Sequence, residues 1–194
     1  MKKILRSLPV LSLLLAGCVS ADGASEDRVM LSEIGSRLES TGAYTATYRL
    51  GDGSDLTVAV DASHARAAVV GEDSAEVWTG DEAESLPIWL KLQLHNTLPP
   101  QETVAAWLDK AALDSSAKIE FSDTTLAGEL SDCVTVQGAS ESDVADFEVC
   151  VTVIGVVSSV EARTPQGRFD ARLISYSDGV DDEWFTDLQV SSSV

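Results

Sequence analysis

Hydrophobic and polar residues alternate at every second position over two stretches of the chain. Residues 44–79 form the first stretch and residues 117–176 the second, with turns such as Gly51-Asp52-Gly53 between the alternating runs. Such alternation is typical of strands that bury one face, and the short turns predict antiparallel meanders. The predicted strands cover residues 44–50, 56–60, 65–70 and 75–79, and then 117–122, 126–137, 146–153, 156–163 and 168–176.

Apolar residues at three- and four-residue steps predict two helices. The first covers residues 26–40, and the second covers residues 100–113, directly after Pro99. The apolar stripe of the first helix is Val29, Met30, Ile34 and Leu38, and that of the second is Val104, Trp107, Leu108 and Ala111. Together with the strands, these helices predict an α+β domain over residues 26–190.

Two shorter segments are more ambiguous. Residues 86–95 alternate like a strand, but their Leu, Lys and Gln residues favour a helix, so a helical insertion is the preferred interpretation. The segment from Phe185 to Val190 is expected to close one edge of the sheet. A sheet of about ten antiparallel strands tends to curl, and helices on its concave face would complete the domain.

Cys133 and Cys150 lie in two alternating runs that pair well as a hairpin. If Cys133 lies opposite Cys150, then Val134 faces Val149 and the apolar residues of both strands share one face. An even pair of cysteines in an exported chain indicates a disulfide. We therefore predict a structural Cys133–Cys150 disulfide, since nothing nearby in sequence would activate a catalytic thiol.

The amino terminus carries an export signal. Residues 1–17 combine a basic start, an apolar run and small residues before Cys18, and they are too short to form a spanning helix. The ending Leu15-Ala16-Gly17-Cys18 looks like a bacterial lipobox, in which the cysteine becomes the first mature residue and carries the lipid. We expect a lipoprotein anchored at Cys18 to the extracytoplasmic side of the cell membrane, with residues 18–25 as a tether.

The charge of the chain excludes some classes of function. The 194 residues include 32 acidic and 13 basic ones, for a net charge of −19, and removal of residues 1–17 takes three basic residues away and leaves −22. This surface is unsuited to nucleic acid, because phosphate contacts need cations. Two histidines and no cysteine cluster leave little for a metal site. No cofactor is expected.

Catalytic motifs are absent from the sequence. The phosphate-binding, dinucleotide-binding, nucleophile-elbow and zinc-protease signatures do not occur. Asp61, Ser63 and His64 are close in sequence, but residues of one turn cannot easily adopt the geometry of a catalytic triad, so a solvated loop histidine is favoured. We expect that the protein is not an enzyme and has no catalytic residues.

The strongest signal for binding is apolar. Several large apolar residues cluster around the helical insertion and are candidate ligand-binding residues. They are Trp78, Ile88, Trp89, Leu90, Leu94, Val104, Trp107 and Leu108. Their alternative role is ordinary core between helices and sheet, which is the commoner situation.

The order of the signals along the chain resembles that of envelope lipoproteins of the LolA/LppX/LprG type. The resemblance covers residues 26–190, and its local points are the hairpin that ends in Phe147-Glu148-Val149-Cys150-Val151-Thr152 and the sequel Ile154-Gly155-Val156 to Arg163. The resemblance implies an unclosed antiparallel barrel with helices as a lid and a cavity that carries lipids or lipoproteins. Fold and function need not go together.

These observations favour a membrane-anchored protein that binds or transfers a lipid or another apolar molecule without catalysis. The alternative is an interaction module with a filled core, which docks a partner protein of the envelope through its acidic surface. An envelope hydrolase is a third hypothesis, which a buried pair of carboxylates in a cleft would indicate.

Overall fold

A computed structural model describes residues 22–40, 42–72, 74–79, 98–140, 142–165 and 167–186. Nine strands form one antiparallel sheet in the order β4-β3-β2-β1-β9-β8-β7-β6-β5. The strands are β1 Tyr44–Leu50, β2 Asp55–Asp61, β3 Arg66–Val70, β4 Ala75–Thr79, β5 Lys118–Leu126, β6 Glu129–Gln137, β7 Phe147–Thr152, β8 Val157–Thr164 and β9 Gly167–Asp178.

The sheet consists of two meanders that meet at one pair of strands. Strands β1 to β4 form the first meander and strands β5 to β9 the second, and within each meander sequence neighbours are also sheet neighbours. The meanders join where Tyr44 of β1 lies opposite Asp178 of β9. All nine predicted strands are present, because the period-two pattern and the short connections leave little choice of pairing.

Two helices, α1 Asp22–Glu39 and α2 Gln101–Leu113, pack on one face of the sheet, which we call the inner face. Nine strands about 4.8 Å apart would make a flat sheet roughly 38 Å wide, whereas two helices side by side cover about 20 Å. Nevertheless, inner residues from β1 to β9 join both helices in one hydrophobic cluster. The sheet therefore curls around the helices without closing into a barrel, and the predicted α+β class is confirmed.

The buried face of α1 differs from the predicted stripe. Leu31, Ile34 and Leu38 are buried, but Val29 and Met30 are 65% and 47% exposed. The stripe was wrong by about one residue at its start, because Leu31 and Leu38 set the direction of the face at i, i+3 and i+7.

The β5–β6 hairpin is longer than predicted. The predicted strands 117–122 and 126–137 left a loop between them, whereas the structure connects Leu126 to Glu129 through Ala127 and Gly128 alone. Both turn residues have positive φ, 52° and 88°, as a two-residue type I′ turn requires. An alanine is uncommon in this conformation, so the sequence did not signal the turn.

The predicted edge strand at Phe185 was wrong in its described part. Residues 183–186 form a helical turn, and Phe185 packs against Ala59 and Ala68 on the face of the sheet opposite α1 and α2, which we call the outer face. The remaining residues of that prediction, 187–190, lie outside the described residues, as do residues 86–95.

Candidate functional site

The inner face is lined by a layer of aromatic rings at the centre of the sheet. Trp107 of α2 lies between Phe147 of β7 and Phe169 of β9, with ring centroids 5.7 and 6.0 Å apart. Val104 and Leu108, one turn away on the same helix, are fully buried. Three of the predicted ligand-binding residues thus share the side of α2 that faces the sheet.

Trp78 lies on the first meander, at the edge strand β4. Its side chain is 6% exposed and belongs to the same hydrophobic cluster as Val58, Ala67 and Val69. The inner face therefore stays apolar from the edge at β4 to the middle of the second meander. The other predicted ligand-binding residues, Ile88, Trp89, Leu90 and Leu94, lie outside the described residues.

The two buried tyrosine hydroxyls of the inner face, of Tyr44 and Tyr48, are hydrogen-bonded. The buried Tyr48 hydroxyl donates a hydrogen bond of 2.9 Å to the Val157 carbonyl, and Gln101 Nε2 donates one of 3.2 Å to the Tyr44 hydroxyl. Burial raises the pKa of Tyr44 above its ordinary value, and burial followed by the neighbouring tyrosines does so for Tyr48. These groups orient main chain and helix, and they have no acid or base role at neutral pH.

Asp61 is the centre of a cluster of charged groups at the turn between β2 and β3. It accepts hydrogen bonds from Arg66 at 2.6 Å and Ser63 Oγ at 2.7 Å, and a further contact of its carboxylate is His64 Nδ1 at 2.8 Å. Ser63 Oγ also contacts this same Nδ1, at 3.0 Å. A triad needs the serine and the carboxylate on different ring nitrogens, so this cluster is not one.

The cluster stabilises an ionised carboxylate and holds the segment that ends the described chain. Burial alone would raise the pKa of Asp61, but hydrogen bonds from Arg66, Ser63 and His64 outweigh it and hold the pKa well below its usual range. Arg66 also forms an ion pair of 2.9 Å with Asp182, and its guanidinium carbon lies 4.2 Å from the centre of the Phe185 ring. The helical turn at 183–186 is thereby attached to the outer face.

The predicted Cys133–Cys150 disulfide is present on the outer face of the second meander. The hairpin register also agrees with the sequence, since Val134 lies opposite Val149 and Val136 opposite Phe147. Both cysteines are nearly fully buried. Their side chains point away from the aromatic layer, because successive residues of a strand face opposite sides.

Two adjoining cavities of about 410 and 360 Å³ lie on the outer face, and Cys133 and Cys150 line the larger one. We call them the outer cleft. Glu148 and Glu161 line both cavities. Strand β5 contributes Ser122, Asp123, Thr124 and Leu126 to the larger one, and β9 contributes Asp170, Ala171 and Arg172. The cleft was not predicted from the sequence. The one signal for it in the sequence was an acidic residue at an outward position of each of three neighbouring strands, namely Glu148, Glu161 and Asp170.

Two features are absent from the described ranges. No group of three or more His, Cys, Asp or Glu side chains there could hold a metal ion. No helix in the described part of the chain has the length and apolar character needed to cross a membrane.

Comparisons with known proteins give structural likenesses at low identity. No protein-family model matches the chain, and no curated protein does. An uncharacterised conserved protein from Thermus thermophilus matches at 12% identity and a TM-score of 0.43, over 80% of this chain and 92% of that one. MucB matches at 12% identity and a TM-score of 0.37, over 87% of this chain and 63% of its own length.

A third solved structure, a DUF1329 family protein from Desulfovibrio piger, matches at 11% identity and a TM-score of 0.29. The match covers 86% of this chain and 98% of that one. Likenesses at this level do not assign the chain to a family.

Proposed function

We propose that this protein is a membrane-anchored envelope lipoprotein that binds a lipid or another apolar molecule between its curled sheet and the helices, without catalysis. The observation that carries the proposal is the extent of the apolar inner face, which runs from Trp78 at one edge strand to the aromatic layer around Trp107. An apolar surface of this kind suits acyl chains, whose burial is worth about 25 cal/mol per Å².

The proposed anchor agrees with where the fold begins. Helix α1 starts at Asp22, four residues after Cys18, the predicted site of lipid attachment. The predicted tether over residues 18–25 was therefore too long, and the first helix begins four residues before the predicted start at residue 26. A tether this short spans at most about 14 Å when fully extended. An anchored protein would therefore hold its first helix close to the membrane, where a carrier of membrane lipids needs to be.

Native mass spectrometry tests the ligand directly. Residues 19–194 would be produced with an export signal and purified without detergent, and a mass excess that resolves to lipid on extraction is expected. A clean mass that stays unchanged after incubation with envelope lipids would contradict lipid binding.

Tryptophan fluorescence locates the ligand. Brominated phospholipid quenches indoles that it touches, so the quenching should fall when Trp78 or Trp107 is replaced by Phe. Trp184 provides the matched control, because it packs on the outer face with Phe185. Quenching that is lost in Trp184→Phe and retained in the two inner variants would place the lipid elsewhere.

A second function is favoured by one observation. Val104 and Leu108 are fully buried and Trp107 contacts two phenylalanine rings, as in a filled core. An interaction module with such a core would dock a basic partner through the acidic surface. A clean apo mass together with salt-sensitive partner binding would favour it.

A further inference from the structure

Helix α1 extends beyond helix α2 at one end of the helical layer. The two helices pack side by side, and a Cβ atom added to Gly35 of α1 would lie 3.8 Å from Asp109 Oδ1 of α2. Gln101 at the start of α2 donates a hydrogen bond to Tyr44, which follows the end of α1 by five residues. The helices are therefore antiparallel, and α1 begins at the end of the layer where α2 finishes.

The length of this extension follows from the contact between Gly35 and Asp109. Four residues beyond Asp109, α2 ends at Leu113, and antiparallel packing places that residue level with Leu31 of α1. Residues 22–30 of α1 then project about 13 Å past the end of α2, at a rise of about 1.5 Å per residue. We call residues 22–30 the overhang.

The overhang has exposed apolar side chains. Residues 26–30 are all exposed or half-buried, whereas Leu31, the next residue, is fully buried. Val29 and Met30 are exposed in this stretch, and Leu113 at the neighbouring end of α2 is 83% exposed. Apolar side chains grouped in this way are typical of a surface that meets another protein or a membrane.

The predicted site of lipid attachment favours a membrane as the occupant of this surface. Cys18 lies four residues before Asp22, where the overhang begins, so the overhang starts within about 14 Å of the attached lipid. Val29 lies about 10 Å further along the helix. The bilayer that holds the lipid is therefore within reach of these apolar side chains.

A second group of exposed apolar residues lies at the other end of the sheet. Leu130, Val153 and Ile154 are exposed, and the Val153 N–H donates a hydrogen bond of 3.2 Å to the Leu130 carbonyl. Strand β7 leads to this group from the loop of Ser140, which is hydrogen-bonded to Asp114 at the end of α2. The second group is thus a strand length away from the end of α2, and it provides a matched control.

We propose that the overhang and the end of α2 form a membrane-contacting surface, whose Val29, Met30 and Leu113 side chains enter the headgroup region of the bilayer that holds Cys18. This inference rests on the anchor of the proposed function. The contact orients the domain, because the end of the helical layer at Leu113 faces the bilayer and the end at Gln101 faces away from it.

The charge of the overhang explains why the contact needs the anchor. The overhang includes Asp22, Glu26 and Asp27 against the one cation of Arg28. Acidic residues near the start of a helix are stabilised by its dipole, but anionic lipids repel them. Three apolar side chains by themselves would therefore bind a bilayer weakly, whereas a short tether makes their contact intramolecular.

The test uses the full exported and lipidated chain in phosphatidylcholine vesicles. A cysteine is introduced at one position at a time, as Val29→Cys, Leu113→Cys or the control Leu130→Cys, and is labelled with the fluorophore nitrobenzoxadiazole. Spin-labelled phospholipid should quench the label at positions 29 and 113 at least about twofold more than at position 130, because an interfacial side chain leaves water. Equal quenching at all three positions, or quenching at none, would overturn the proposal.

Flotation with the vesicles distinguishes failure of the contact from failure of the anchor. A chain that floats while its label at position 29 stays unquenched has an anchor and overturns the contact. A chain that does not float contradicts the anchor. The contact is then tested with a histidine tag in place of Cys18 on vesicles that contain a nickel-chelating lipid, and the same difference between positions 29 and 130 is expected. Absence of that difference would overturn the proposal.

Two further measurements exclude other causes. Residues 19–194 without lipid should sediment as a monomer, and a dimer that Val29→Ser dissociates would overturn the proposal by making this surface an interface between copies of the chain. Quenching at position 29 should fall when phosphatidylglycerol replaces part of the phosphatidylcholine, because the overhang is acidic. Quenching that rises instead would indicate attraction of charges and would overturn an apolar contact.

Discussion

The two faces of strands β6 and β7 are built from alternate residues of the same segments, yet they differ in almost every property. Toward the helices, Val134, Val136 and Val149 are fully buried. On the opposite face, the same strands present a disulfide and the carboxylate of Glu148 beside a cleft. Packing therefore determines the inner face, whereas the outer face combines a covalent cross-link with an exposed charge.

The largest expected effect is on the inner face. Trp107→Ala removes the ring between Phe147 and Phe169, and should lower the free energy of unfolding by about 3–5 kcal/mol. Urea unfolding measures this loss of free energy. The control is Trp184→Ala on the outer face, for which a smaller loss is expected. A loss below about 1 kcal/mol, together with lost lipid binding, would show that the ring lines a hollow rather than a filled core.

The disulfide should have the next largest effect. Its cysteines are 17 residues apart, and closing a loop of that size stabilises the folded state by about 3 kcal/mol in the chain-entropy model. Cys133→Ala combined with Cys150→Ala should lower the unfolding free energy by that amount. The reduced wild-type protein is the control, and unfolding curves that do not change on reduction would contradict the prediction.

The outer face of the first meander also contains a buried ionised carboxylate, that of Asp61, which protonation at low pH neutralises. Asp61→Asn should cost about 2 kcal/mol at pH 7, because hydrogen bonds to a charged group are lost. The folded-state pKa of Asp61 lies below its unfolded value of about 3.9. Its contribution is therefore complete above that value and is lost as the pH falls further.

Unfolding of wild type and Asp61→Asn between about pH 7 and pH 2 would measure this contribution. The difference between the two proteins should shrink below about pH 4. A difference that stays constant over the whole range would mean that ionisation of Asp61 does not stabilise the fold.

The smallest expected effect is a gain. Glu148→Lys places a cation directly opposite Glu161, and should raise the unfolding free energy by about 0.5–1 kcal/mol. Glu72→Lys, in the connection between β3 and β4 near one end of the sheet, should change the unfolding free energy less. A destabilised Glu148→Lys protein at low salt would show that the acids across β7 and β8 do not repel each other in the folded state.

Much of the fold could be predicted because few arrangements satisfy the sequence. The register of Cys133 against Cys150 was confirmed down to Val136 opposite Phe147, since a shift by one residue would turn every apolar side chain outward. The errors in the predicted fold occurred where a single residue determines the local structure. Val29 and Met30 were placed on the buried side of α1, and the turn through Ala127 needed a φ that alanine seldom adopts.

The candidate sites could be predicted less well, for two physical reasons. Val104, Trp107 and Leu108 were predicted to share one side of α2, but spacing carries no information on whether the space before them is filled. The outer cleft was missed because Glu148, Glu161 and Asp170 are far apart in sequence. The register of three strands brings these residues side by side.

The pairing of β1 with β9 has a consequence for the order of folding. Every other neighbour in the sheet is joined by a connection to the next strand in sequence, but Tyr44 finds Asp178 only when nearly the whole domain has been made. Local hairpins form quickly, whereas distant pairings must first close a long loop. A chain that is exported from its amino terminus would therefore expose the open edge of β1 until β9 has emerged, and during that interval it needs protection from aggregation.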